Sequence, residues 1–287
     1  WGIPVPNDGD HVIYVWIDAL LNYLSGLGGD LFDTYWENAH HVIGKDILRF
    51  HAVYLPCLLL SLDLPLPKKI LAHGWWTAEG EKISKSKGNA IDPNKVVSQV
   101  GSDAFRYFLL REISVGSDGD FSEQALIARV NGDLSNGYGN LLNRTLGLLK
   151  KYRGSILPPP VDCAEGLRGL ISESRERLIL ALDECDPQEA LKIIWQVIRA
   201  GNKYVDETAP WTLGKQGKEE ELDAVLYNLV ELLRIVGVWT LPFLPEKSVG
   251  LLDAIKATER SFESTSHWGL QKGGACLDSS ALLFPRI

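Results

Sequence analysis

Apolar residues fall in short blocks over the first quarter of the chain and at helical spacing over most of the rest. The segment His11–Ile17 is β-branched and aromatic, which predicts a buried strand. A helix is expected from Asp18 to Ser25, stopped at Gly26, and further strands at His40–Ile43 and Lys69–His73. Between them, Gly44-Lys45-Asp46 reads as a sharp junction into a helix from Ile47 to Leu60. Strands alternating with helices argue for an α/β parallel sheet. The polar stretch Thr77–Ala90 reads as a loop. Asp92-Pro93 then supplies a cap followed by proline at the first helical position, with Gly101 as the stop. Asp103–Glu112 forms another predicted helix, and Gly116–Gly119 a break.

After Phe121 the pattern is all helical. Leu126, Ile127, Val130, Leu134, Leu141, Leu142, Leu146 and Leu149 recur at three- and four-residue spacing. Leu157-Pro158-Pro159-Pro160 ends that arm. Further helices are expected over Gly166–Leu182, from Asp186 to Glu207, over Glu219–Leu241 and over Pro245–Lys256. Asp186-Pro187-Gln188-Glu189 combines an Asp cap, a first-turn proline and a Glu in capping-box position. The segment after Phe121 is thus a helix bundle. The tail from Ser264 to Ile287 lacks periodicity and is expected to pack back on the body.

Bulk properties narrow the class. A chain of 287 residues with 45% hydrophobic content suits about two globular domains. No apolar run reaches the roughly 20 residues that cross a bilayer; the longest, Leu55–Leu66, is broken by Pro56, Ser61, Asp63 and Pro65. Cys57, Cys163, Cys185 and Cys276 are far apart, which suits reduced thiols in a cytosol-like compartment and gives no metal site. The net charge of −8 argues against a non-specific nucleic-acid binder but not against a local RNA-gripping patch. Methionine is absent altogether. The chain starts Trp1-Gly2-Ile3-Pro4 without an initiator Met, so a fragment or processed product is expected.

The most informative segment is Glu81-Lys82-Ile83-Ser84-Lys85-Ser86-Lys87-Gly88-Asn89. Its lysines alternate with small hydroxyl residues, and almost nothing in it is apolar, so it can aim ammonium groups and hydroxyl donors at a polyanion. Such cations would stabilise charge developing during phosphoryl chemistry on a nucleoside triphosphate. The segment resembles the KMSKS signature of class I aminoacyl-tRNA synthetases, with Ile83 where Met usually sits. Trp1–Pro6, Tyr14–Ala19, His41–Asp46 and Arg49-Phe50-His51 resemble the methionyl-tRNA synthetases in particular. The likeness covers nearly all of residues 1–255 and weakens in the tail.

This resemblance implies a set of roles. Lys82 and Lys85 contact ATP phosphates during catalysis, with Ser84 beside them. Gly44, Lys45 and Asp46 lie in the adenylate site, where Asp46 bonds a ribose hydroxyl or the substrate ammonium, or else simply caps the helix. Trp16, Ala19, Tyr23, Phe50 and His51 line the methionine pocket. A thioether suits an apolar, aromatic-lined pocket. Asn140, Arg144 and Trp211 read the anticodon; Asn136, Asn140 and Arg144 fall at four-residue intervals on one helical face. The implied partners are tRNA(Met), methionine and ATP with Mg2+ as the substrate complex, without a resident metal.

The implied fold is the second half of a Rossmann-type parallel sheet over residues 1–76 and a loop and connecting region over 77–120. An anticodon-binding helix bundle over 121–262 and a returning tail over 263–287 complete it. The implied location is the cytoplasm or an organelle matrix. The His-Ile-Gly-His-like signature of the family's N-terminal half is absent, as is its cysteine-bearing insertion, so this chain alone is expected to activate methionine poorly. The rival reading is a non-catalytic tRNA-binding protein derived from such a synthetase.

Overall fold

A computed structural model describes residues 2–78, 80–83, 91–161 and 165–287, except the side chains of Asp30, Glu81 and Lys82. The chain divides into two compact units. The first comprises Trp1–Thr77 with Val115–Gly119, and the second Ala78–Ser114 with Asp120–Ile287.

The first unit opens with an antiparallel hairpin, β1 (Pro4–Val5) and β2 (Asp8–Val12), turned at Asn7 with φ 67. Every residue of β2 is exposed. The buried strand expected over His11–Ile17 is therefore not formed. The strand ends at Val12, and helix α1 runs from Val15 to Ser25. Aromatic and β-branched content favours strands only weakly, and the helix places Leu20 fully in the core with Leu55 and Leu59. Helix α2 (Gly28–Tyr35) follows, then β3 (His40–Gly44).

After β3 the chain makes a 3-10 turn at Lys45–Ile47, a π-helical turn at Phe50–Tyr54 and helix α3 (Leu55–Ser61). Pro56 lacks an N–H and its ring would crowd the carbonyl four residues back, so the wider turn is the accommodation. Strand β4 (Lys69–His73) pairs parallel with β3 in the register His40↔Lys69 to Gly44↔His73. Leu20, Trp36, Leu55 and Leu59 form the core beneath them.

Strands β5 (Trp76–Ala78) and β6 (Glu81–Lys82) occupy part of the stretch expected to be loop. With β7 (Gly119–Phe121) they form a sheet in the order β6-β5-β7. Helices α4 (Pro93–Val100) and α5 (Ser102–Glu112) flank Gly101, whose φ of 85 makes the stop. The Asp92 carboxylate caps α4 by accepting from the Asn94 amide at 2.9 Å.

The remaining chain is helical, as its periodicity predicts. Helix α6 (Glu123–Arg129), a π-helical segment (Val130–Gly139) and α7 (Asn140–Arg153) make the first arm. Then come α8 (Glu165–Asp183), α9 (Pro187–Thr208), α10 (Pro210–Gln216), α11 (Glu219–Thr240) and α12 (Pro245–Ala254). Asp186 accepts from the Glu189 amide at 2.9 Å, as the capping pattern anticipates. Helix α11 is apolar almost all round and is buried nearly throughout, packing against α7, α9, α10 and α12.

Two features of the bundle were not foreseen. The π-helical segment widens the register, so Asn136 does not continue the face of Asn140 and Arg144. It accepts instead from Arg286 of the tail at 2.6 and 3.1 Å. The second feature is an ion pair, Glu231–Arg234, with both side chains at 0% exposure. Glu231 accepts from the backbone amides of Gly269, Leu270 and Gln271 at 3.0 to 3.2 Å. Arg234 donates to the carbonyls of Glu259, Ser264 and His267. Two buried charges are tolerable only when so fully hydrogen-bonded. The clip fastens the tail to α11, and the last residues close on the π segment, where Asn131 bonds both the amide and the carbonyl of Ile287. Among the described residues no helix is long and apolar enough to cross a membrane.

Candidate active site and RNA-reading face

Helical spacing puts Trp16, Ala19 and Tyr23 on one side of α1, while Leu20 turns into the core. The π turn delivers Phe50 and His51 to that same side. Trp16 and Phe50 stack at 4.1 Å between centroids, 7° from parallel. The Trp16 and His51 rings meet edge to face at 6.1 Å. Tyr23 Oη lies 2.8 Å from His51 Nε2, and His51 Nδ1 lies 3.0 Å from the Ile47 carbonyl. A carbonyl only accepts, so neutral His51 carries its proton on Nδ1 and accepts the Tyr23 hydroxyl proton at Nε2. Four of the five expected pocket residues thus meet in one aromatic cluster; Ala19 lies exposed on the same helix face.

A polar cluster lies at the carboxyl ends of β3 and β4. Gly44 ends β3, and a Cβ there would sit 2.6 Å from Asp46 Oδ1, so glycine is what lets that carboxylate fold back over the backbone. Asp46 accepts from the Trp75 indole at 3.3 Å rather than capping the helix. Lys45 Nζ donates to Asp118 Oδ2 at 2.6 Å and lies over the Trp75 ring at 4.4 Å. Asp118 Oδ1 accepts from the Trp75 amide at 2.8 Å. The hydrogen bond from Lys45 and then that from the Trp75 amide hold the Asp118 carboxyl below the usual carboxylate range. Beside them Gly74 is obligatory, because a Cβ would lie 2.0 Å from the Ser117 carbonyl.

Trp75 and Asp118 escaped the sequence reading as site residues. Trp75 follows the strand expected over Lys69–His73, where no local pattern gives it a role. Asp118 follows Lys45 by 73 residues in a glycine-rich break, where no local pattern marks it. The side chain of Lys82, and Ser84 and Lys85 altogether, lie outside the described residues. Among the described residues no group of three or more His, Cys, Asp or Glu is placed to hold a metal ion.

In the second unit, Asn140 and Arg144 on α7 face Asn202 and Asp206 on α9. Asn140 Nδ2 donates to Asn202 Oδ1 at 3.1 Å, and Arg144 pairs with Asp206. Matched i, i+4 spacing on the two helices makes this a short ladder. Asn202 in turn donates to the Gly137 carbonyl at 3.1 Å. Trp211 opens α10, presented by Ala209 in the left-handed region and by Pro210, and is 39% exposed. Helix α10 packs on α7, where Gly214 lies so close that a Cβ would come 2.5 Å from the Tyr152 ring.

Residues 1–146 match the family described as tRNA synthetases class I (M), and the chain belongs to that family. Its fold is the class I synthetase fold with a small parallel sheet, followed by a mostly helical region. Residues 170–287 match the anticodon binding domain of methionyl tRNA ligase. The chain is 44% identical, over its whole length, to the methionine–tRNA ligase of Thermotoga maritima, of which it covers 47%. To that of Bacillus subtilis it is 42% identical over its whole length, covering 45%. All of it superposes on 58% of the Mycobacterium tuberculosis methionyl-tRNA synthetase in complex with methionyl-adenylate, with a TM-score of 0.90 and 38% identity. The chain spans about half the length of the curated relatives it matches.

Proposed function

We propose that the chain supplies the second half of the active site and the anticodon-reading bundle of a methionine–tRNA ligase. The observation that carries this reading is the Trp16–Phe50 stack closed by the Tyr23–His51 hydrogen bond, in the same unit as the polar strand ends. An aromatic-lined surface suits a thioether, through sulfur–aromatic contact and apolar burial. Ligands of parallel sheets bind at the carboxyl ends of the strands, where Gly44, Lys45 and Asp46 stand. Asp46 and Lys45, now turned to Trp75 and Asp118, carry the polar groups that would meet the adenylate.

The reaction is a two-step acyl transfer. The methionine carboxylate attacks the α-phosphorus of ATP, delivered as its Mg2+ complex, and pyrophosphate leaves. The 3′-terminal ribose hydroxyl of tRNA then takes the acyl group and AMP leaves. Catalysis is orientation and charge stabilisation, without a covalent enzyme intermediate. Lys82 and Lys85 stabilise the phosphate charge in this reading, which for them rests on sequence. Asn140, Arg144 and Trp211 read anticodon bases. The Asn202 and Asp206 contacts of α7 are what RNA would replace or extend.

The boundaries 1–76, 77–120, 121–262 and 263–287 remain our division of these roles. Apolar exposure in the first unit supports an incomplete site: Val42 of the parallel strand β3 is 67% exposed, although strands of parallel sheets are normally covered.

The test is ATP–pyrophosphate exchange by the full-length protein. Methionine should stimulate it, and leucine and cysteine should not. Trp16→Ala should raise the methionine KM. Lys85→Ala should slow activation about a hundredfold and spare tRNA affinity. Exchange indifferent to methionine would overturn the assignment. Robust exchange by the isolated 287 residues would overturn the claim that the site is incomplete.

A further inference from the structure

His41 has no part in the roles above, yet it stands behind the aromatic cluster. Strand alternation turns it and Ile43 inward while Val42 faces out, and it is only 7% exposed. Its ring meets Tyr23 edge to face at 4.6 Å and 81°. It lies 5.7 Å from the His51 ring and meets Trp36 edge-on at 6.0 Å. Trp36 is itself fixed, donating from Nε1 to the Pro65 carbonyl at 2.7 Å. His41 is thus the bridge from a rigid core tryptophan to a tyrosine at the surface.

We propose that His41 is a positioning residue for methionine binding, acting through Tyr23. This rests on the pocket reading above. Tyr23 is partly exposed and holds His51 by a single hydroxyl. The His41 edge is what stops its ring from swinging on χ1, and the ring direction aims the hydroxyl at His51 Nε2. His51 in turn fixes one edge of Trp16. Moving Tyr23 therefore removes the hydroxyl that holds the His51 ring at Nε2 and loosens the face that takes the side chain of methionine.

Hydrogen bonding does not explain His41, because its Nε2 is buried without a partner among the described residues. Such an orphan destabilises the fold; what the ring contributes is shape and an aromatic edge. Burial first, and the neighbouring His51 second, push its pKa below the ordinary imidazole value.

The experiment uses the full-length protein and its variants, with methionine and ATP kinetics measured separately by pyrophosphate exchange. His41→Ala should raise the methionine KM about tenfold, leaving kcat and the ATP KM within about twofold. His41→Phe restores an aromatic edge without the orphan nitrogen. It should return the methionine KM to within about threefold of the parent and unfold no earlier on heating. In a Tyr23→Ala background the effect of His41→Ala should vanish, because the coupling runs through that ring. A methionine KM unmoved by His41→Ala, an equal rise in the ATP KM, or an undiminished effect without Tyr23 would each overturn the proposal. Trp16→Ala separates the two layers. If it moves the methionine KM and His41→Ala does not, only the role of His41 fails; if neither moves it, the pocket reading fails.

Discussion

The two units solve the problem of burying apolar surface in opposite ways. In the bundle, sequence neighbours cover one another: α8 packs on α9, α11 on α9 and α12, and α11 is enclosed so fully that even Glu231 and Arg234 lie inside. In the first unit, Tyr14, Val15, Val42 and Leu60 are all exposed, and among the described residues the apolar cluster of Leu20, Trp36, Leu55 and Leu59 is ringed by partly buried side chains. A helix satisfies its own backbone and needs only a partner for one face, which a hairpin loop can deliver. A parallel strand needs its neighbour delivered across a long crossover, so a sheet of only two parallel strands leaves apolar faces uncovered.

The largest test of this contrast is the buried clip. Glu231→Ala leaves Arg234 charged and unpaired in the interior and should cost about 3–5 kcal/mol in denaturant unfolding. Replacing both residues together by leucine and methionine should cost much less. A loss under about 1 kcal/mol for the single change would show that the tail is held by other means.

A matched pair of leucines sharpens the comparison. Leu229→Ala, inside α11, should cost about 2–5 kcal/mol, whereas Leu60→Ala, 62% exposed on α3, should stay within about 0.5 kcal/mol in this chain. Equal losses at the two sites would erase the distinction between a closed and an open unit.

Arg144 probes function in the closed unit. Arg144→Ala should weaken tRNA(Met) binding by about 1–3 kcal/mol in filter binding, the range of a good base-reading contact, with little change in exchange without tRNA. An unchanged affinity would reduce the Arg144–Asp206 pair to a helix-to-helix contact.

The smallest effect belongs to Asp118 in the open unit. Its carboxyl is held below its unfolded value, so its contribution is present above the ordinary carboxylate range and fades as pH falls through the folded value. Carboxyl NMR should show Asp118 titrating lower than in Lys45→Ala. The two titrations coinciding would dissolve the Lys45–Asp118 pair as a feature of the site.

The sequence by itself determined the helical bundle, because capping and three-to-four spacing are local: Asp92, Asp186 and the leucines of α7 state their roles within one or two turns. It also determined that Trp16, Tyr23, Phe50 and His51 belong together, although through family likeness and not through spacing. Tertiary structure decided the rest. The apolar run after His11 became a helix because burying Leu20 against Leu55 and Leu59 outweighed weak strand preference. The π segment moved Asn136 away from Asn140 and Arg144 and gave it to the tail. Asp118, Trp75 and His41 acquired their places from contacts that no residue nearby in the chain announces. Periodicity records what a segment does with its own neighbours, whereas charge pairs and ring contacts between distant segments exist only once folding has brought them into reach.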